Sequence, residues 1–161
     1  LTVLLVIWLL FIHFKDIRKV GIILISLPFA VFGAIYSIYL AGFSISVATT
    51  VGLIALIGLA IETAIIMVMY IDNQIFENNP KTKQGFINSV KHGALLRLRP
   101  KLMTALTVII GLVPIFLQKG IGSDVMQTIA LPMLGGMLSV MLTVLFVIPV
   151  IYILCYSKYY E

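Results

Sequence analysis

GLIALIGLAIETAIIMVMYID, residues 52–72, is an apolar run that holds one charged side chain, Glu62, between its ends. On the N-terminal side of Glu62, no charged residue occurs from Val20 to Ile61. An apolar stretch of about 18 or more residues can cross the hydrocarbon core of a membrane as a helix. Uncharged runs of this length also exceed what a small globule can bury. The chain is therefore predicted to be a polytopic membrane segment.

The overall composition excludes an ordinary water-soluble domain. Of the 161 residues, 61% are hydrophobic and 11% are charged, and the mean hydropathy is +1.17. Soluble domains are roughly half apolar and about a quarter charged. The single cysteine, Cys155, lies within the last apolar run, so this chain can form neither an internal disulfide framework nor a thiolate metal cluster.

Charged residues and Gly, Pro and Asn clusters divide the chain into predicted helices at 1–14, 17–41, 47–72, 99–118 and 127–156. The opening run reaches only Phe14 before Lys15, which is too short to span a bilayer. We interpret it as the partial first helix of a fragment from a longer chain. The predicted fold class is all-α, a transmembrane helix bundle with four full spans and one partial span.

The distribution of basic residues predicts the topology. Ten of the 11 Lys and Arg residues lie in or beside the first and third connections or after the last helix, whereas only Lys119 lies on the other side. The positive-inside rule makes the first side, including the C-terminus, cytoplasmic. No basic stripe is interleaved with exposed aromatic residues, so the net charge of +5 does not indicate nucleic-acid binding.

Residues 73–98 form a more polar connection in which Asn78-Asn79-Pro80 acts as a breaker. Apolar residues then recur at helical spacing, opposite Lys83 and Lys91; they are Phe86, Ile87, Val90 and Ala94. This pattern predicts a cytoplasmic loop with a short amphipathic helix on the inner membrane surface. The alternative is a solvated loop helix that only joins two spans.

Glu62 is the principal candidate functional residue, because a charge near the bilayer centre costs at least about 2.5 kcal/mol. Such residues usually face the bundle interior, pair with a partner and mark an ion or proton path, although a purely structural hydrogen bond is the alternative. Candidate partners are Arg97 and Lys101, four residues apart on one helical face, with Thr104 on the same stripe. Lys101 is the deeper cation, but it could instead extend to the headgroups, and spacing does not establish contact with Glu62.

Methionine thioethers are soft ligands suited to Cu(I) or Ag(I), and the chain has seven methionines. Most are expected to be core packing. Met126 differs because it stands at the predicted outer mouth of the last helix, after Gly122-Ser123-Asp124. No hydrolase or nucleotide-binding motif occurs, so an enzyme is not indicated.

Three segments in order resemble the C-terminal membrane part of resistance-nodulation-division (RND) efflux pumps. They are residues 52–72, then HGALLRLRPKLMTALTVIIGLVPIF at 92–116 and GIGSDVMQTIALPMLGGM at 120–137. In detail they are most similar to the heavy-metal efflux branch and its copper/silver exporters of the CusA type. The resemblance implies the eighth through twelfth helices of a twelve-helix unit. These belong to the second of two six-helix repeats, with the first helix partial and one repeat helix missing.

The resemblance also implies roles for individual residues. Glu62 and Lys101 correspond to the family's proton-relay residues, and Thr104 to a threonine near the relay. Met126 corresponds to a methionine of a stepwise metal path. By the same resemblance, a glutamate at the position of Glu62 favours monovalent Cu(I) or Ag(I) as the exported ion. Export would run against protons, with no cofactor besides the transported ion and the proton gradient.

The partners implied are the first repeat with its relay aspartate and the periplasmic domains, without which the fragment is not expected to transport. A homotrimer in the bacterial inner membrane, a periplasmic adaptor and an outer-membrane channel follow from the same resemblance. One alternative is an RND pump for divalent cations or amphiphilic drugs. Another is a non-transporting structural membrane module, in which Glu62 only joins helices.

Overall fold

The computed structural model describes residues 2–120 and 122–156, with side chains from residue 5 onward, and this part of the chain is helical throughout apart from short connections. α5, a π-helical turn and α6 run on without a break, so the described part contains five continuous helices. The elements are α1 (Thr2–Phe14), α2 (Ile17–Ala41), α3 (Val47–Asn78), α4 (Lys83–Leu117), α5 (Ser123–Leu142), the π turn (Thr143–Val147) and α6 (Ile148–Tyr156).

Four of these helices are long and apolar enough to cross a membrane: α2, α3, α4 and the continuous span Ser123–Tyr156. The described side-chain-bearing part of α1, Leu5–Phe14, is a shorter apolar helix. The predicted all-α, membrane-spanning fold is therefore confirmed. Lys158, which contributed to the topology prediction, lies outside the described residues.

The third connection differs from the predicted loop at 73–98. α3 continues to Asn78, the connection is only residues 79–82, and α4 runs from Lys83 to Leu117 without interruption at Pro100. The Thr82 hydroxyl caps α4 by accepting from the Gly85 N–H. The amphipathic segment is thus the first half of a long helix and not a separate helix on the membrane surface.

Helix packing explains this difference. Phe86 and Val90, read as membrane-facing, are instead buried in the protein core. At Gly93 a Cβ atom would lie 3.0 Å from the Ile71 Cα, so the backbones of α3 and α4 approach closely there. The sequence pattern assigned the apolar face of α4 to the membrane surface. In the structure this face is instead buried against α3.

α2 and α5 approach each other closely at glycine residues. A Cβ at Gly135 would lie 2.3 Å from the Ser37 Cβ, and one at Gly33 would lie 2.3 Å from the Ser139 Cβ, so α2 and α5 interlock reciprocally. The Ser139 hydroxyl also donates to the Phe29 carbonyl across this interface at 2.7 Å. Small residues that allow backbone contact and hydroxyl bonds between helices are typical of membrane packing.

The π turn marks a change of register in the last span. The Ile148 N–H donates to the carbonyl of Thr143, five residues earlier. Pro149 follows directly and has no N–H to continue a regular helical ladder. Such single π turns occur frequently at functional positions in helices.

A polar network joins three helices at the end of the bundle that carries the basic residues, called here the basic end. Lys19 Nζ lies 2.6 Å from Asp72 Oδ2, and the Tyr152 hydroxyl donates to the same carboxylate. The Tyr156 hydroxyl donates to Asp16, the N-cap of α2. The network therefore links the start of α2 and the later part of α3 to α6.

Asp16 precedes the first membrane-spanning segment and has an altered proton affinity. Its partial burial acts to raise its pKa, but the hydrogen bonds from Tyr156 and the Arg18 N–H and the charges of Lys19 and Arg18 outweigh that effect. The net pKa of Asp16 lies below its ordinary value. Its charged form is therefore favoured in the folded state.

Candidate functional site

A cavity of about 160 Å³ lies between α3 and α4, closed on one side by α5 and the π turn. Its polar lining comes from α3 and α4: Glu62, Thr63, Arg97, Lys101 and Thr104. The rest of the lining is mainly aliphatic, with the buried thioethers of Met67 and Met137. A cavity of this size, with several polar side chains in its wall, has room for several water molecules. Four candidates from the sequence analysis line this cavity: Glu62, Arg97, Lys101 and Thr104.

Lys101 points into this cavity. Its Nζ donates to the Thr63 hydroxyl oxygen at 2.5 Å, and the Thr63 hydroxyl in turn donates to the Leu59 carbonyl at 2.6 Å. The ammonium group is thus bound to α3 and does not extend toward the helix end, which was the alternative for a lysine at this position.

Glu62 lines the same cavity from the adjacent position on α3. Both Glu62 and Lys101 belong to the described residues, and no ion pair joins them, although the Glu62 charge attracts the Lys101 ammonium and the Arg97 charge repels it. Glu62 is exposed in this chain and also lines a wider, apolar groove beside α1. The carboxylate therefore stands between an internal cavity and an open face of the bundle.

Arg97 and Thr104 complete the polar lining one turn to either side of Lys101. The Arg97 guanidinium lies 4.6 Å from the ring centre of Tyr70, a cation–π contact between α4 and α3. The exposed Thr104 donates its hydroxyl to the Lys101 carbonyl at 3.0 Å. Arg97 and Thr104 thus have contacts of their own, and the cation that donates to the Thr63 hydroxyl is Lys101.

Met126 is not part of this cavity. It lies in the first turn of α5 with 55% of its surface exposed. Within residues 2–120 and 122–156, no group of three or more His, Cys, Asp or Glu side chains is arranged to hold a metal ion. The structure thus places Met126 away from the charged residues of the cavity, Glu62, Arg97 and Lys101.

Thr63 is a functional candidate that sequence reasoning missed. It is the residue after Glu62, and its side chain is only 6% exposed. A threonine hydroxyl often bonds back to its own helix, and the sequence held no sign that a lysine from another helix would reach it. The available signal was its position beside the only intramembrane carboxylate of that span.

The class of protein that this fold defines is a membrane protein built of packed spanning helices, and comparison with known proteins identifies its relatives. The cation efflux system protein CusA of Escherichia coli strain K12 is 42% identical over 94% of this chain and 15% of that protein. The cobalt-zinc-cadmium resistance protein CzcA of Cupriavidus metallidurans is 36% identical over 98% of this chain and 14% of that protein. The crystal structure of a heavy metal efflux pump matches with a TM-score of 0.79 and 35% identity over 93% of this chain and 14% of that one.

Residues 1–156 match the AcrB/AcrD/AcrF family, and the chain belongs to this family of resistance-nodulation-division proteins. The family assignment made from the three sequence segments is thereby confirmed, and the relatives are heavy-metal efflux proteins like those expected. The chain spans about one seventh of the length of the relatives it matches.

Proposed function

We propose that this chain is the second-repeat membrane part of a proton-driven heavy-metal exporter, in which Glu62 and Lys101 belong to the proton relay. The observation that carries the proposal is that both side chains line one cavity between α3 and α4 whose wall is otherwise mostly apolar. Family membership supports the transporter class. The remainder of the pump would supply the first repeat and the periplasmic domains.

The chemistry of the relay follows from electrostatics in a medium of low dielectric constant. An ionised Glu62 attracts the Lys101 ammonium, and a protonated Glu62 no longer does. A change in the protonation of Glu62 therefore changes where Lys101 is most stable. Because Lys101 lies on α4 and Glu62 on α3, that change acts between two helices. Thr104, on the turn of α4 beside Lys101, is proposed to line the same path.

For the substrate, we propose Cu(I) or Ag(I). Met126 offers an exposed thioether, which prefers soft monovalent ions, and Glu62 stands where the copper/silver exporters resembled by the sequence carry glutamate. The transported ion and the proton gradient are then the only non-protein components of the cycle. Divalent cations are the second candidate, supported by the 36% identity to a cobalt-zinc-cadmium resistance protein.

The proposed setting is the bacterial inner membrane, with the basic end of the bundle and the C-terminus in the cytoplasm. There the complete pump would form a homotrimer and work with a periplasmic adaptor and an outer-membrane channel. A rival of a different class is a structural membrane module without transport activity. For that module Glu62 would contribute only to helix packing.

The test of function compares metal tolerance in cells that lack their own metal exporters. The complete transporter containing this chain is expressed as wild type, Glu62→Gln and Lys101→Met at equal levels, and growth is measured on copper, silver and zinc. We expect tolerance to copper and silver in the wild type and its loss in both variants. Tolerance to zinc alone would contradict Cu(I) or Ag(I) as the substrate. Tolerance that survives both substitutions would contradict the role of Glu62 and Lys101 in a proton relay.

The role of Met126 has a separate test, binding of Ag(I) to the purified transporter. We expect Met126→Ile to weaken Ag(I) binding because the exposed thioether is lost while the apolar volume is kept. The matched control is Met103→Ile, since Met103 has a similar exposure of 62% on α4. Equal Ag(I) affinity in the two variants would contradict a metal contact at Met126.

A further inference from the structure

We propose that Thr63 is a positioning residue of the relay, whose hydroxyl oxygen holds the Lys101 ammonium beside Glu62 whenever the two charges are apart. The inference rests on the proposed function and adds a second acceptor to it. Lys101 then alternates between two neighbouring positions on α3, the Thr63 hydroxyl and the Glu62 carboxylate.

The direction of the hydrogen bonds identifies Thr63 as an acceptor. A threonine hydroxyl has one proton and two lone pairs. That proton is directed to the Leu59 carbonyl, 2.6 Å from the hydroxyl oxygen. The lone pairs are therefore available to the Lys101 ammonium, whose Nζ lies 2.5 Å away. The Leu59 carbonyl fixes the hydroxyl so that it receives the lysine.

Burial makes this bond significant for the ammonium group. Thr63 is 6% exposed, and the cavity wall around the contact is mostly apolar. Lys101 itself is partly buried, so an ammonium that leaves Glu62 has reduced access to water and is stabilised by another acceptor. Hydrogen bonds to charged groups are also stronger than those between neutral groups. Thr63 thus lowers the free energy of the state in which Lys101 is separated from Glu62.

A comparison with Thr107 separates this role from ordinary helix packing. The Thr107 hydroxyl makes the same backward bond, to the Met103 carbonyl at 2.8 Å. Thr107 is exposed on α4, and within the described part of the chain its hydroxyl has no hydrogen bond from a lysine. The feature that distinguishes Thr63 is the cation from a second helix.

The experiment measures metal-driven proton release by the complete transporter in proteoliposomes, with Ag(I) as the probe, or Zn(II) if the tolerance assay identifies a divalent substrate. Thr63→Val keeps the shape of the side chain and removes the acceptor, Thr63→Ser restores the hydroxyl, and Thr107→Val is the matched control. We expect Thr63→Val to lower kcat about tenfold, the effect of one charge-assisted hydrogen bond on a barrier, with KM for the metal changed less than about twofold.

Thr63→Ser is expected to recover kcat to within about twofold of the wild type, and Thr107→Val to match the wild type, because neither removes the acceptor for Lys101. The melting temperature should be the same in all variants, and Thr63→Ala replaces Thr63→Val if the latter does not fold. Wild-type kcat in Thr63→Val, or a loss that Thr63→Ser does not repair, overturns the inference. A Thr63→Val loss explained by a lower melting temperature overturns it as well.

Glu62→Gln in the same assay distinguishes failure of this inference from failure of the proposed function. If Glu62→Gln abolishes proton release while Thr63→Val has wild-type kcat, the relay stands and the role of Thr63 is wrong. If Glu62→Gln retains full proton release, the relay itself is wrong, and the inference about Thr63 is overturned with it.

Discussion

At the residue scale, Glu62 and Lys101 show how far the sequence predicts the site. The cost of a charge in the membrane pointed to Glu62, and Lys101 was one of two candidate partners on a helical face; the two residues do line one cavity. Their separation was not predictable, because the stagger of α3 against α4 depends on packing at positions such as Gly93 and not on spacing within either helix. Thr63 was missed for the same reason, since its importance arises only from the reach of Lys101.

The carboxylate of Asp16 provides a prediction about pH. The pKa of Asp16 is lowered in the folded chain, so its stabilising contribution is present at pH values above its ordinary pKa of 3.8 and is lost as the pH falls through the lower folded value. We expect Asp16→Asn to lower the melting temperature of the purified transporter at pH 7. The difference from wild type should shrink as the pH falls below about 4. Thermal unfolding across this pH range measures it, and a difference that grows in acid would contradict the account.

At the element scale, membrane helices approach one another closely where small residues such as glycine face each other, and the structure shows which glycines do so. Gly52, Gly135 and Gly136 lie directly against neighbouring helices, whereas a Cβ at Gly58 would meet nothing within 4 Å. The sequence gives the residue type but not the face that meets another helix. The same limit applies to α4, where the apolar face was assigned to the membrane surface although it packs against α3.

Gly135 gives the sharpest test of this packing. We expect Gly135→Ala to destabilise the bundle by about 1–3 kcal/mol, because the new methyl group overlaps the Ser37 side chain and the α2–α5 interface must open. Gly21→Ala is the matched control in α2, since a Cβ there meets nothing within 4 Å. Thermal unfolding of both variants compares them. Equal stability would show that α2 and α5 are not in backbone contact at Gly135.

At the scale of the whole molecule, the sequence predicted the class of fold correctly because hydropathy alone requires spanning helices. It predicted the family through the resemblance of three segments, at 52–72, 92–116 and 120–137. The arrangement of those helices was not predictable, since apolar residues look alike whether they face lipid or another helix. Many large apolar side chains remain on the outside, including Ile110 and Leu117 of α4. Their exposure suits contact with a bilayer or with a neighbouring protein surface.

The orientation of the molecule is tested by cysteine labelling in a Cys155→Ser background. Single cysteines are introduced as Lys119→Cys and Asn79→Cys, at opposite ends of α4. A reagent that cannot cross the inner membrane should label the Lys119→Cys variant in spheroplasts. It should label the Asn79→Cys variant only after lysis, because the proposed topology places the basic end in the cytoplasm. The reverse pattern would contradict the proposed topology.

The central claim is that Glu62 and Lys101 couple proton movement to metal export, and proton release by the reconstituted transporter tests it most directly. Ag(I) is applied to proteoliposomes that contain a pH-sensitive dye, and wild type is compared with Glu62→Gln, Lys101→Met and Thr107→Val. The account predicts coupled proton movement in the wild type and Thr107→Val and its loss in the other two, with Ag(I) binding retained. Coupled proton movement that persists in Glu62→Gln and Lys101→Met would contradict it.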